Sequence, residues 1–314
     1  MDGSYPLTQG SVETGSGTSL RIWSELTSSV SYAMFGTPGR RIVPCDLAQL
    51  CQNPEPSQVA RGLFACEAVR PPRGKGRDDF GEPYTLPWFN AIEYYRYNRN
   101  AQWLPRMLEF PKHSGETILC MGHGLGSDWT KYAESGSRVV INTPCPAQRD
   151  LIQPYFLLSK LDAKFVLSSP TALPLDNATI DIVCVNGLLE GATNPTHLVN
   201  EIYRVLKPGG KVIALTSAKY DVDFWADLLL LYRRWVWRQR PQGVLGHRFS
   251  GRRLRKLFPQ FEEHRVKKRQ LRRAEVPHLC RVVPLPILER VIGKVLVFKA
   301  FKPISVALPL GAAA

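Results

Sequence analysis

The chain reads as an α/β protein: a doubly wound, mostly parallel seven-stranded sheet behind an N-terminal extension. Two observations carry this reading. From residue 116 onward, short apolar runs alternate with amphipathic segments at strand–helix spacing. Strands that alternate with helices assemble into a parallel sheet covered on both faces. A turn with three glycines, Gly122, Gly124 and Gly126 in "CMGHGLGSD", sits where the first strand meets the first helix, the place where doubly wound sheets take ligands.

The elements follow in order. Residues 1–20 are rich in Gly, Ser and Thr and are expected to be a disordered tail. Residues 21–86 carry Pro/Gly punctuation and form an extension whose role the sequence does not tell. A helix is expected over about 88–109, with Ile92, Tyr95, Trp103 and Leu108 on one face and Pro105 dividing it. "TILCMG" is a buried strand, "SDWTKYAESG" a helix closed by Gly136, and "SRVVINT" a second strand. "PAQRDLIQPYFLLSKLD" is a helix, "AKFVLSS" a third strand and "TIDIVCVNG" a fourth. "PTHLVNEIYRVL" is a helix opened by its Pro/Thr start, and "GGKVIALTS" a fifth strand. An apolar helix over about 221–240 and a basic one, "SGRRLRKLF", come next. A charged edge strand "EEHRVKKRQL", a short helix "PILERVIG", a last strand "KVLVFKAF" and a tail over 303–314 complete the chain.

Composition narrows the function. Hydrophobic residues make up 44% of 314 positions, enough for one large α/β domain with extensions or for two small ones. The seven cysteines (45, 51, 66, 120, 145, 184 and 280) are odd in number and scattered, with no metal spacing. They read as reduced thiols of a cytoplasmic protein, with Cys184 a small buried hydrophobe, and no metal site is expected. No leader pattern and no run of 18 apolar residues occurs, so no transmembrane segment is expected. The net charge is +14, and between Arg233 and Arg273 15 Lys or Arg face 2 acids, Glu262 and Glu263. That segment has three readings: a solvated surface of long side chains, a peripheral membrane contact beside "FWADLLLLYRRWVWRQR", or a nucleic-acid contact through "RRLRK" and "HRVKKRQLRR".

Two further stretches are similar to a known family. "TALPLDNATIDIVCVNGLLE" holds Leu173-Pro174-Leu175 and Asp181-Ile182-Val183, and "EIYRVLKPGGKVIAL" holds Arg204 through Gly210. With the glycine turn they resemble class I S-adenosylmethionine (SAM)-dependent methyltransferases of Rossmann-like fold, methyltransferase type 11, in the subgroup of quinone-biosynthesis enzymes. The resemblance covers about 88–302 and implies a methyltransferase-like domain over 87–302, with a basic helical insertion and edge at about 221–280. It implies SAM as cofactor and a small or lipid-like methyl acceptor. Cys120, Gly122, Gly124, Gly126, Thr143, Ser169, Ala172, Leu173, Asn186 and Gly187 fall on the family's cofactor positions. Arg96-Tyr97 matches a subgroup feature that closes over the cofactor.

The family's three cofactor carboxylates are replaced here: Cys120 stands at the end of the first strand, Thr143 at the ribose position and Ser169 at the adenine position. Losing two charged hydrogen bonds would cost about 3–6 kcal/mol, on the order of 100- to 10,000-fold in affinity. Asp128, Glu190 or the Thr143 hydroxyl could recover part of it, and Thr143→Asp is expected to tighten binding. In-line methyl transfer needs mostly alignment, so no residue is an obligatory base; His123, Glu190, Tyr95 and Tyr97 are the candidates. The alternative is a non-catalytic relative, a pseudoenzyme that acts as a binding or scaffold partner through its basic segment.

Overall fold

The computed structural model describes residues 85–122, 124–222, 224–225, 248–271, 273, 276 and 282–304. The 1–20 tail, nearly all of the 21–86 extension, His123, most of the 221–240 helix and residues 305–314 of the tail lie outside the described residues.

The helix expected over 88–109 is broken into pieces. It comprises α1 (Leu86–Tyr94), a π-helical turn (Tyr95–Asn100), α2 (Leu104–Leu108) and a 3-10 turn (Phe110–His113). Ala101 leaves helical space at φ −137°, ψ 55°, which ends the first half. Pro105 starts the second half, in a first turn that does not need its missing N–H. Glu109 ends α2 in the left-handed region, at φ 59°.

The sheet then builds as β1 (Thr117–Gly122), α3 (Ser127–Glu134), β2 (Arg138–Thr143), α4 (Pro146–Leu158), β3 (Ala163–Leu167) and β4 (Ile180–Asn186). There follow α5 (Leu188–Gly191), α6 (Pro195–Val205), β5 (Leu206–Ser217), α7 (Gly251–Leu257), β6 (Glu262–Arg269), α8 (Leu285–Ile292) and β7 (Val295–Phe301). The seven strands lie in the order β3-β2-β1-β4-β5-β7-β6, with β7 antiparallel to both neighbours. The doubly wound, mostly parallel, seven-stranded expectation holds.

Side-chain alternation along each strand divides the core into two layers. Leu119, Met121, Val183, Val185, Val212, Ala214 and Phe298 face α6 and α7. Ile118, Cys120, Ile182, Cys184, Ile213 and Val297 face the other way, onto Trp129, Tyr132, Leu108 and Phe110.

The family-like motifs prove to be joints of this frame. Asp181 accepts from the Thr117 N–H (2.9 Å) and from Lys207 Nζ (2.7 Å), tying β1, β4 and the Pro-Gly-Gly turn at their amino ends. β5 begins at Leu206 rather than at the glycines, and pairing jumps from Ile180↔Leu206 to Ile182↔Lys211, so 207–210 loop out between them. A Cβ on Gly210 would lie 2.2 Å from Leu206 Cδ2 and 2.9 Å from Asp181 O, so only glycine fits. Glu201 and Arg204 of α6 clamp the β3–β4 loop. Glu201 accepts from the Leu173 N–H (2.7 Å), while Arg204 donates to Leu173 O (2.9 Å), Leu175 O (2.7 Å) and Asn177 Oδ1 (2.7 Å). Glu109 holds α2 to the sheet through Lys211 (2.7 Å) and Lys299 (3.0 Å).

Candidate functional site

The parallel strands β1, β2, β4 and β5 end on one side of the sheet in Gly122, Thr143, Asn186 and Ser217, and this is where the candidate site residues gather. The glycine turn is held from three directions. Gly122, Gly124 and Gly126 take φ of 120°, 136° and 90°, values that L side chains rarely adopt. A Cβ on Gly122 would sit 2.0 Å from the Asn186 carbonyl oxygen, so close approach of β1 to β4 requires glycine there. A Cβ on Gly126 would sit 2.9 Å from Ile152 Cγ2, so α4 packs tightly there and adds to the preference for glycine that φ 90° sets. Packing thus accounts for two of the three glycines without any ligand. At Gly124 the backbone conformation, φ 136°, asks for glycine.

Gln148, on the buried face of α4, braces the turn from below. Its Nε2 donates to Gly122 O (2.9 Å) and Gly124 O (3.3 Å). Its Oε1 accepts from the Thr143 hydroxyl at 2.5 Å. Thr143 is itself buried and also takes the Cys145 N–H at 3.1 Å. The residue at the family's ribose position is therefore committed to a Thr143–Gln148–glycine-turn network. Sequence reading missed Gln148, although a Gln among Leu151, Ile152, Tyr155 and Phe156 on one helical stripe was the available signal.

Cys120 is fully buried and faces the α3 layer beside its register partner Cys184. Burial pushes both thiols up, that of Cys184 to about 12, so both stay protonated. The carboxylate of this neighbourhood is Asp128, from the first turn of α3. Arg96 grips it with two hydrogen bonds, Nε–Oδ1 at 3.1 Å and Nη2–Oδ2 at 2.6 Å, and the Tyr97 hydroxyl donates to Oδ1 at 2.6 Å. All three side chains are buried. Arg96-Tyr97 thus reaches α3 at the foot of the turn, and α1 lies alongside with Phe89 stacked on Tyr155 at 4.1 Å.

Glu190, in α5 after β4, is buried and turned to the end of β5. One carboxylate oxygen accepts from the Ser217 N–H and the other from the Ser217 hydroxyl at 3.0 Å. Burial raises its pKa, with the two Ser217 bonds and Arg248 opposing. Of the three groups expected to offset the missing acids, Asp128, Glu190 and the Thr143 hydroxyl, each is engaged by the protein itself. Ser169 and Ala172 are exposed on the β3–β4 loop, where Ser169 Oγ and Thr171 Oγ1 lie 2.8 Å apart. Leu173 beside them is buried under the Glu201–Arg204 clamp. Gly187 follows Asn186 at φ 67° and donates to Leu215 O. Tyr95 is buried in the π-helical turn.

One more polar atom stands out. Asn142 on β2 is buried and donates through Nδ2 to Ser168, while its Oδ1 has no hydrogen-bond partner.

β5 runs on into a further feature of this end. Asp221 caps a helical turn by accepting from the Phe224 N–H (2.8 Å) and pairs with Arg248 (3.1 Å), while Ala218 bridges Phe249. Residues 218–221 and 248–249 therefore lie side by side next to Ser217. Among the described residues no helix is long and apolar enough to cross a membrane.

Residues 119–214 match the family model of the methyltransferase domain. An uncharacterized methyltransferase of Mycobacterium leprae (strain Br4923) is 34% identical over 99 residues, 32% of this chain and 36% of that protein. A ubiquinone/menaquinone biosynthesis C-methyltransferase of Ruegeria sp. (strain TM1040) is 34% identical over 68 residues, 22% of this chain and 27% of that protein. The chain thus matches only about a third of the length of such relatives. A solved [4+2]-cyclase has the same fold, with TM-score 0.51 and 16% identity, over 85% of this chain and 100% of that one. That likeness concerns fold alone, since one fold carries many reactions. The sheet order and the glycine turn leading into α3 thus accompany a likeness to the methyltransferase domain over residues 119–214.

Proposed function

We propose that this chain transfers a methyl group from SAM to a lipid-like or other small acceptor. The observation that carries the reading is the Gly122–Gly126 turn, which leads from β1 straight into α3 inside the matched domain. Backbone of the turn and the amides opening α3 suit the carboxylate of the cofactor's methionine end. Asn142 Oδ1, a buried acceptor without a partner, fits a donor on the ligand or an ordered water. Ser169, Ala172 and Leu173 border the adenine side, with Asn186 and Gly187 between the two.

Bound SAM brings a methyl group already activated on a sulfonium. The chain's task is then to align an acceptor nucleophile and keep water out, which supplies most of the rate in such a displacement. Glu190, tied to Ser217, and Tyr97, tied to Asp128, serve better as fixed walls than as proton carriers. His123 remains a catalytic candidate from its place in the turn. With no carboxylate at 120, 143 or 169, cofactor affinity is weak, in the high micromolar to millimolar range on the order of magnitude set by two lost charged hydrogen bonds.

The name of the Ruegeria relative supports a lipid-like acceptor, and a cytoplasmic enzyme working at a membrane surface would meet one. The test is transfer of labelled methyl from SAM into a lipid extract and into a polar metabolite extract, with Gly124→Asp as control. Label in the lipid fraction, lost in the variant, is expected. No label in either fraction at saturating SAM would reject methyl transfer and leave a binding protein.

A further inference from the structure

We infer that the outer face of α8, with Tyr220 and Trp225, is a docking surface for an anionic lipid membrane.

α8 is apolar on two faces. Leu285, Leu288 and Ile292 pack inward on Val222, Leu271 and Val276. Ile287 and Val291, four residues apart, lie on a neighbouring face and are 55% and 54% exposed; Val282 and Val283 just before the helix are exposed too. A helix that already buries one stripe gains nothing for the fold from a second. Lys268 draws Tyr220 to the same place, donating to Tyr220 O (2.8 Å) and Val291 O (2.6 Å). Tyr220 and Trp225 are themselves exposed. The result is a grouped aliphatic and aromatic patch rather than scattered apolar residues.

Charge identifies the occupant. The acids of this region are turned inward: Glu289 pairs with Arg269 (3.0 Å) and takes the Gln270 N–H (2.8 Å), and Asp221 pairs with Arg248 (3.1 Å). The exposed charges at the rim among the described residues are Lys219, Arg273 and Arg290, all cationic. Lys219 lies 5.5 Å from the Tyr220 ring centre, and Arg273 reaches Val283 O at 3.4 Å. Ile and Val at the centre, Trp and Tyr beside them and Lys or Arg around them make a surface that settles into anionic headgroups. A nucleic acid would use the cations and leave Ile287 and Val291 in water. A second copy, with a net charge of +14, would set cations against cations.

The placement matters for the proposed reaction. β7 starts at Val295, opposite Ser217, so α8 lies at the same end of the sheet as Glu190 and the glycine turn. A lipid-like acceptor would reach the site from the surface the protein rests on. That consequence rests on the methyltransferase reading; the docking itself does not.

The test is sedimentation of the full chain with vesicles of phosphatidylcholine alone and of phosphatidylcholine mixed with phosphatidylglycerol. Binding to the mixed vesicles is expected. The pair Ile287→Asp and Val291→Asp should weaken it at least about tenfold, with an unchanged thermal midpoint because both side chains are exposed. Ile287→Trp should strengthen it. Absence of vesicle binding overturns the inference. So does wild-type binding by the double Asp variant, including binding that RNA competes away, or a dimer that this variant disrupts without any lipid binding. Vesicle binding with no SAM affinity rejects the reaction and keeps the surface; SAM affinity with no vesicle binding does the reverse.

Discussion

Replacing Gly122 by alanine separates two reasons for keeping a glycine turn. If the turn exists for a ligand, substitution should leave the empty protein stable and harm only binding. The geometry says otherwise. The new Cβ would lie 2.0 Å from Asn186 O, 2.8 Å from its carbonyl carbon and 2.9 Å from its nitrogen, all rigid backbone of β4. Residue 122 would also have to hold φ 120°. Sparse backbone geometry costs about 1–3 kcal/mol, and overpacking about 1–3 more. The sum, about 2–6 kcal/mol, is a large part of a typical stability of about 5–15 kcal/mol. Gly126→Ala meets Ile152 Cγ2 at 2.9 Å, a side-chain atom rather than backbone, so most of its cost comes from holding φ 90°, about 1–3 kcal/mol. Urea unfolding followed by circular dichroism, without ligand, reads both. A Gly122→Ala protein as stable as wild type would refute the packing argument.

Three other outcomes follow from the same frame. Asp128→Asn should cost about 3–5 kcal/mol by stranding the Arg96 guanidinium, and Arg96→Met with Asp128→Leu should cost less than the two single changes summed; additivity in a double-mutant cycle would show that the pair is not coupled. A carboxylate at 143 would face Gln148 Oε1, acceptor against acceptor, so Thr143→Asp should lower stability by about 1–3 kcal/mol as Gln148 lets go of the glycine turn; an unchanged urea midpoint would mean the new side chain turns out toward the cleft, as the sequence alone suggested. Burial alone would raise the pKa of Glu109, but hydrogen bonds from Lys211 and Lys299 outweigh it and hold it at about 2, below its ordinary 4.5. A depressed carboxyl stabilises above its unfolded value and loses that as pH falls through the folded one. Stability should therefore drop between about pH 4.5 and 2, by about 1–2 kcal/mol after solvent screening, and Glu109→Gln should flatten that drop.

The sheet was legible because its strands are short apolar runs whose boundaries are set by glycine, proline and helical periodicity; "TILCMG" and "KVLVFKAF" lie within a residue of β1 and β7. The π-helical turn at 95–100 was not, since "EYYRYNRN" has ordinary helical composition and the break depends on how Arg96 and Tyr97 reach Asp128. Family motifs pointed to the carboxyl ends of the strands but not to the hydrogen bonds made there. Thr143 reads as a ribose-side hydroxyl until Gln148, five residues on in another element, is seen to take it. Glu190 reads as a free acid until Ser217, at the end of a strand 27 positions away, is seen to hold it. A partner 27 positions away leaves no mark in local spacing. The second apolar face of α8 was visible as "PILERVIG", but which side is covered is a property of the packing.

The most direct measurement is a calorimetric titration of the purified chain with SAM and with its demethylated product. Both are expected to bind weakly, on the order of high micromolar to millimolar, and Gly124→Asp is expected to abolish the heat. No heat from either ligand at millimolar concentration would contradict it, and would leave a methyltransferase fold whose glycine turn serves packing alone.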